Sequence, residues 1–203
     1  MSRLGLSSGG GSYIRFQPSV NSWTMGDEEI DLKQFAVDFA SVKTGWGRMA
    51  TGEAPDWRWD EKLGARTKIP SDEKDAKGNA MWKRGFAVTL FIKEIGVVEW
   101  SSTGTGPVMG LEAIYDQMEA AVVAGGEGSI PVLEYVGSTA QKIGKGNTRV
   151  PNFKVVKTLS AGKIDFSGGD EGESAPKDEP KSIPKEEPKK EAPKQTKQAD
   201  DEF

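Results

Sequence analysis

At Ser167 the chain stops supplying side chains that a core could use. From there to residue 203 it holds five Pro, seven Lys and eleven acids, with Ile183 the only large aliphatic residue and Phe203 the only aromatic. Such a segment cannot bury enough apolar surface to offset the entropy of ordering it, so it is expected to be disordered. Folding is therefore confined to what precedes it, which is long enough for one substantial domain. The opposite end, residues 1–12, is rich in Ser and Gly and has no apolar signal core; it reads as a flexible leader.

Charge follows the same division. Residues 1–166 carry 20 Lys+Arg and 20 Asp+Glu, whereas the tail carries 7 and 11, so the net −4 and the pI of 5.1 come from the tail. A neutral body can bind nucleic acid only if its positive charges gather on one face. The sequence has neither Cys nor His. That excludes a thiolate zinc site, an iron–sulfur cluster, a disulfide, a Cys nucleophile and a Ser-His-Asp triad. No apolar run approaches the roughly 20 residues of a membrane span, and a cytoplasmic location without membrane association is expected.

Periodicity makes residues 13–166 mainly β. Tyr13–Phe16 and Ser22–Met25 are short β-prone runs broken at Pro18-Ser19, and Gly26–Glu29 reads as a polar turn. Ile30–Ala50 fits both a helical stripe and a strand; a long strand bent near Gly45 and Gly47 is preferred, as in a small barrel. Trp57 and Trp59 share one side of a short run and Arg58 takes the other. Glu61–Ala80 is a polar loop of about 20 residues, a length uncommon inside a domain and often functional. Gly85–Lys93 and Val97–Trp100 form a hairpin. Pro107 opens a helix carrying Leu111, Ile114, Tyr115, Met118 and Val122, which ends at Gly125-Gly126. Ile130–Val136 and Phe153–Leu159 are strands, joined by a loop over 137–152 that holds Lys142, Lys145 and Arg149 and no acid.

Two sets of residues suit single-stranded nucleic acid. Unpaired bases offer π-faces and the backbone offers phosphates, so aromatics beside cations bind without reading sequence. Trp46, Arg48, Trp57, Arg58, Trp59, Trp82, Lys83 and Arg84 form the first set; Trp23 and Trp100 are assigned to packing. Lys142, Lys145 and Arg149 form the second, with Gly144 and Gly146 allowing close backbone approach. For both, the plain alternative is structural: tryptophans in the core and a solvated hairpin loop. Gly104–Gly110 lacks the Lys of a phosphate loop and misses the dinucleotide spacing, so it serves to turn the chain into its helix. The carboxylates at Asp27–Glu29 and at Asp56, Asp60 and Glu61 flank turns. They are the only route to catalysis, through a metal such as Mg²⁺.

The chain ends in Asp200, Asp201, Glu202 and Phe203 after a Pro/Lys/Glu-rich linker over 167–199. An acidic peptide tipped by one aromatic suits capture in a partner's basic, apolar-slotted pocket. Here the chain resembles the single-stranded DNA-binding proteins of bacteria and their phages; its tip has acids running directly into Phe, as in the phage style, without the Ile-Pro common in bacterial tails. The order of elements over 13–166 also resembles an OB-fold, a five-stranded barrel with one helix between strands three and four, here with extra N-terminal strands. The resemblance implies a non-catalytic, sequence-independent single-stranded DNA-binding protein acting in DNA replication, recombination or repair. It needs no cofactor and no metal. Its tip would recruit replication or recombination proteins and could compete with DNA for the body. Homo-oligomerisation is left open, as is RNA. The rivals are an OB-type protein-interaction module and a metal-dependent carboxylate nuclease.

Overall fold

The computed structural model describes residues 12–49, 55–144 and 146–167. Residues 1–11, 50–54, Lys145, the linker from 168 on and the tip Asp200–Phe203 lie outside the described residues. Ser12, expected in the leader, instead opens the first strand.

Ten strands and one long helix are described: β1 Ser12–Gln17, β2 Ser22–Met25, β3 Glu28–Ile30, β4 Gln34–Val37, β5 Lys43–Arg48, β6 Asp56–Trp59, β7 Trp82–Ile92, β8 Gly96–Ser102, α1 Thr105–Gly125, β9 Ile130–Ile143 and β10 Gly146–Leu159. The sheet runs β10-β9-β4-β7-β8-β1-β2-β3, and β5 and β6 join it through β7. It is mainly β, as expected, but it is not closed into a barrel. The free edge of β8 is taken by β1, in parallel, through Ser12, Tyr13 and Ile14.

The middle of the sheet is β7. Phe86, Val88, Leu90 and Ile92 alternate along it and are all buried, which is the period of two that a half-buried strand requires. One edge pairs with β8. The other pairs with β5 over its first half and with β4 near its end. The switch between β4 and β5 is a 3-10 turn, Phe39–Ser41. The expected bend therefore falls there and not at Gly45 and Gly47. Hydrogen bonding fixes its place: Ser41 Oγ donates to Asp38 O at 2.7 Å and accepts from Thr89 N at 2.8 Å.

Two further expectations are corrected. Of the polar turn Gly26–Glu29, only Gly26-Asp27 turns; Glu28 and Glu29 pair with Met25 and Thr24 in β3. The basic stretch over 137–152 is not a loop. Its described residues continue β9 and β10 as a ladder with Thr139 opposite Val150 and Lys142 opposite Asn147.

The core is aromatic. Trp23 and Trp100 are 2% exposed and meet edge to face at 5.2 Å, with Phe86 and Phe153 against Trp100. Such pairs add about 0.5–1.5 kcal/mol beyond their burial. Leu111, Ile114 and Met118 bring one stripe of α1 onto this core. The Gly-rich start of α1 has a packing reason as well as a turning one. A Cβ at Gly106 would collide with the Arg149 carbonyl, and one at Gly110 would lie 2.6 Å from the Pro151 carbonyl. Glycine there lets the helix lie directly on β10.

Candidate nucleic-acid interface

Strands β6, β5 and β7 form a three-stranded arm, and its register sorts the first residue set onto two faces. Directly paired residues in an antiparallel ladder share a face, and neighbours along a strand alternate. Gly45 pairs with Trp59 and Gly85, and Gly47 pairs with Trp57 and Lys83; Lys43 stands two residues before Gly45. Those residues make one face. Trp46 pairs with Arg58 and Arg84, and Arg48 pairs with Asp56 and Trp82. Those make the other.

The second face is internally satisfied. Asp60, whose side chain is 1% exposed, receives Arg84 through two bonds of 2.9 and 2.5 Å. Thr44 Oγ1 donates to it at 2.6 Å, and Thr67 donates both its Oγ1 and its backbone N–H. The Arg84 bonds hold its carboxyl well below the usual carboxylate range; burial opposes them, and the threonines add to them. The guanidinium of Arg84 also lies 5.5 Å from the Trp46 ring centre, and that of Arg58 lies 5.7 Å from that of Trp82. Trp46 Nε1 donates to Thr67 O at 2.9 Å. The long loop over 61–80 is thus pinned across this face by Thr67, and Arg48 stands 3.8 Å from Glu73. Trp82 is 6% exposed. It and Arg84, whose guanidinium is committed to Asp60, hold the arm together.

The first face is open. Trp57 and Trp59 are both half-buried and stack with ring centres 4.4 Å apart and planes 10° from parallel. They stand on glycine. A Cβ at Gly47 would lie 2.7 Å from the Trp57 ring, and one at Gly45 would lie 3.0 Å from the Trp59 ring; at Gly85 it would also meet Trp57, at 2.9 Å. The glycines therefore make room for the indoles. Lys83 in the Trp57 row and Lys43 beyond Trp59 are exposed, and neither closes an ion pair among the described residues. Lys43 escaped the sequence reading. The spacing Lys43-x-Gly45-x-Gly47 puts it on the glycine face, but only pairing with β6 reveals what that face carries.

The second residue set stands elsewhere. Lys142 and Arg149 share a face of the β9–β10 hairpin, since Arg149 pairs with Ala140. Lys142 is exposed, whereas Arg149 donates to Ser138 Oγ at 3.2 Å, and that hydroxyl donates to Asn21. In the sheet order β4 separates this hairpin from β7, so the two basic sets are not neighbours in the ladder.

Among the described residues no three acidic side chains converge as metal ligands, and no helix is long and apolar enough to cross a membrane. Asp56 and Asp60 are engaged by Arg58 and Arg84. No family model, no curated protein and no solved structure matches this chain.

Proposed function

We propose that this chain binds single-stranded DNA without reading its sequence, through the open face of the β5–β6–β7 arm. The observation that carries this reading is the parallel pair Trp57 and Trp59, standing on three glycines with an exposed lysine at either end. A stacked pair of indoles offers outer π-faces to bases, and base–aromatic stacking is worth roughly 1–3 kcal/mol per base whatever the base. Lys83 and Lys43 then hold phosphates on the two sides of the stack. Arg48, Arg58, Trp46, Trp82 and Arg84 support the arm from behind, and Lys142 adds charge from the hairpin.

The helix between the strands β7–β8 and β9–β10 supports an OB-like relationship, with β1–β3 as the additional N-terminal strands. In this reading the protein is not an enzyme and works in the cytoplasm, the host's if the chain is phage-encoded. It coats strands exposed in replication, recombination or repair. The acidic tip Asp200–Phe203 recruits the proteins that act on those strands.

A fluorescence titration with oligo-dT tests the reading. It expects quenching of tryptophan emission, little dependence on base identity, and affinity that falls steeply with salt. No quenching at low salt would point to a protein-interaction module instead. Loss of the oligonucleotide only when Mg²⁺ is added would point to a nuclease.

A further inference from the structure

Beside the indole pair lies a cleft of about 290 Å³, lined by Val42, Lys43, Thr44, Trp59, Asp60, Glu61, Lys62 and Leu63. That is the lower end of the range for small-molecule sites, roughly 300 Å³ and up. Trp57 covers one face of Trp59, so Trp59 can turn only its opposite face or its rim to the cleft. Leu63 is 43% exposed, one of the few large apolar side chains left open to solvent. Lys43 and Lys62 are exposed and make no ion pair among the described residues. The Asp60 carboxylate is spent on Arg84, which leaves Glu61 as the available acceptor.

We infer that this cleft holds one nucleotide of the bound strand, its base against Trp59 and Leu63 and its phosphate between Lys43 and Lys62. The inference rests on the reading of the indole pair as a stacking platform and extends it by one defined subsite. The chemistry of the walls selects the ligand. An aromatic ring and two aliphatic side chains want a flat apolar body, two free ammonium groups want an anion, and a carboxylate wants an N–H donor. A nucleoside phosphate carries all three. Glu61 repels the phosphate and so orients the base N–H groups toward itself and the phosphate toward the lysines. The bound strand would run from Lys83 past Trp57 and Trp59 into the cleft.

The test follows the Leu63 methyl resonances of the full chain during addition of oligo-dT and, separately, of free dTMP. It also compares oligo-dT affinity among the wild type, the Lys43→Ala/Lys62→Ala double variant and Leu63→Ser. All three residues are exposed, so the variants should keep the fold, and unchanged near-ultraviolet circular dichroism of the indoles checks this. The expected result is movement of the Leu63 methyls with both ligands. With it should come an affinity loss of about tenfold at low salt in the double variant and a smaller loss in Leu63→Ser. If the wild type binds oligo-dT while the methyls stay still and the variants bind equally well, the cleft is no subsite and the platform stands without it. Movement with dTMP alone would assign the cleft to free nucleotides and overturn its place on the strand. If the wild type does not bind oligo-dT at all, platform and subsite fall together.

Discussion

The two faces of the β5–β6–β7 arm are built from the same residue types and do opposite things. One carries Trp46, Trp82, Arg58 and Arg84; the other carries Trp57, Trp59, Lys43 and Lys83. On the first, every strong group has found a partner within the chain, centred on the buried Asp60. On the second, the indoles stack on each other, and neither lysine closes an ion pair among the described residues, although Lys83 is near enough to Asp75 to help hold its carboxyl low. The difference is not composition but completion. A tryptophan beside a cation is a structural unit where a carboxylate and a strap close over it, and a candidate for binding where glycines leave it room.

Breaking the closed face should have the largest effect. Asp60→Ala removes one member of a buried ion pair and strands Arg84, at a cost of about 3–5 kcal/mol in stability, measurable by urea unfolding. The same carboxylate gives a pH dependence. Its folded-state pKa is depressed, so its contribution is complete above the unfolded carboxylate pKa near 3.9 and is lost as pH falls from there through the lower folded value. In Asp60→Ala that part of the acid destabilisation should be missing.

Breaking the open face should act mainly on binding. Trp57→Ala should cost about 1–3 kcal/mol in oligo-dT affinity, whereas Trp46→Phe should leave affinity unchanged while losing the bond to Thr67. Gly85→Ala tests the floor. Its Cβ would press on the Ser102 carbonyl and on Trp57, so roughly 1–3 kcal/mol of overpacking is expected, together with weaker oligo-dT binding. The smallest effect belongs to the lysines. Lys43→Gln or Lys83→Gln should each flatten the salt dependence of oligo-dT affinity by about 0.7 in the logarithmic slope.

Period-two alternation made much of the fold legible. It located β7 and β8, and Pro107 with Gly125-Gly126 bracketed the helix within two residues of Thr105–Gly125. It also put Trp57 and Trp59 together and Arg58 apart. What it could not do was assign glycine. Gly45 and Gly47 read as a bend because flexibility is the commonest local meaning of glycine, whereas here they clear space for rings from another strand. The ladder over the described residues of 137–152 was hidden for a related reason. Gly, Ser, Lys and Asn suggest a loop, but pairing between two polar strands satisfies their backbones whatever the side chains are. Nor could sequence show that Trp82 is buried and Arg84 committed, since that depends on Asp60 reaching both Arg84 and the loop.

The central claim is that Trp57 and Trp59 meet bases while the other indoles do not. Fluorotryptophan labelling gives a direct test, because each of the six tryptophans contributes its own ¹⁹F resonance, assignable by single Trp→Phe substitutions. Addition of oligo-dT should move the resonances of Trp57 and Trp59 and leave those of Trp23, Trp46, Trp82 and Trp100 in place. Binding that shifts the buried indoles, or that leaves Trp57 and Trp59 unmoved, would contradict the account.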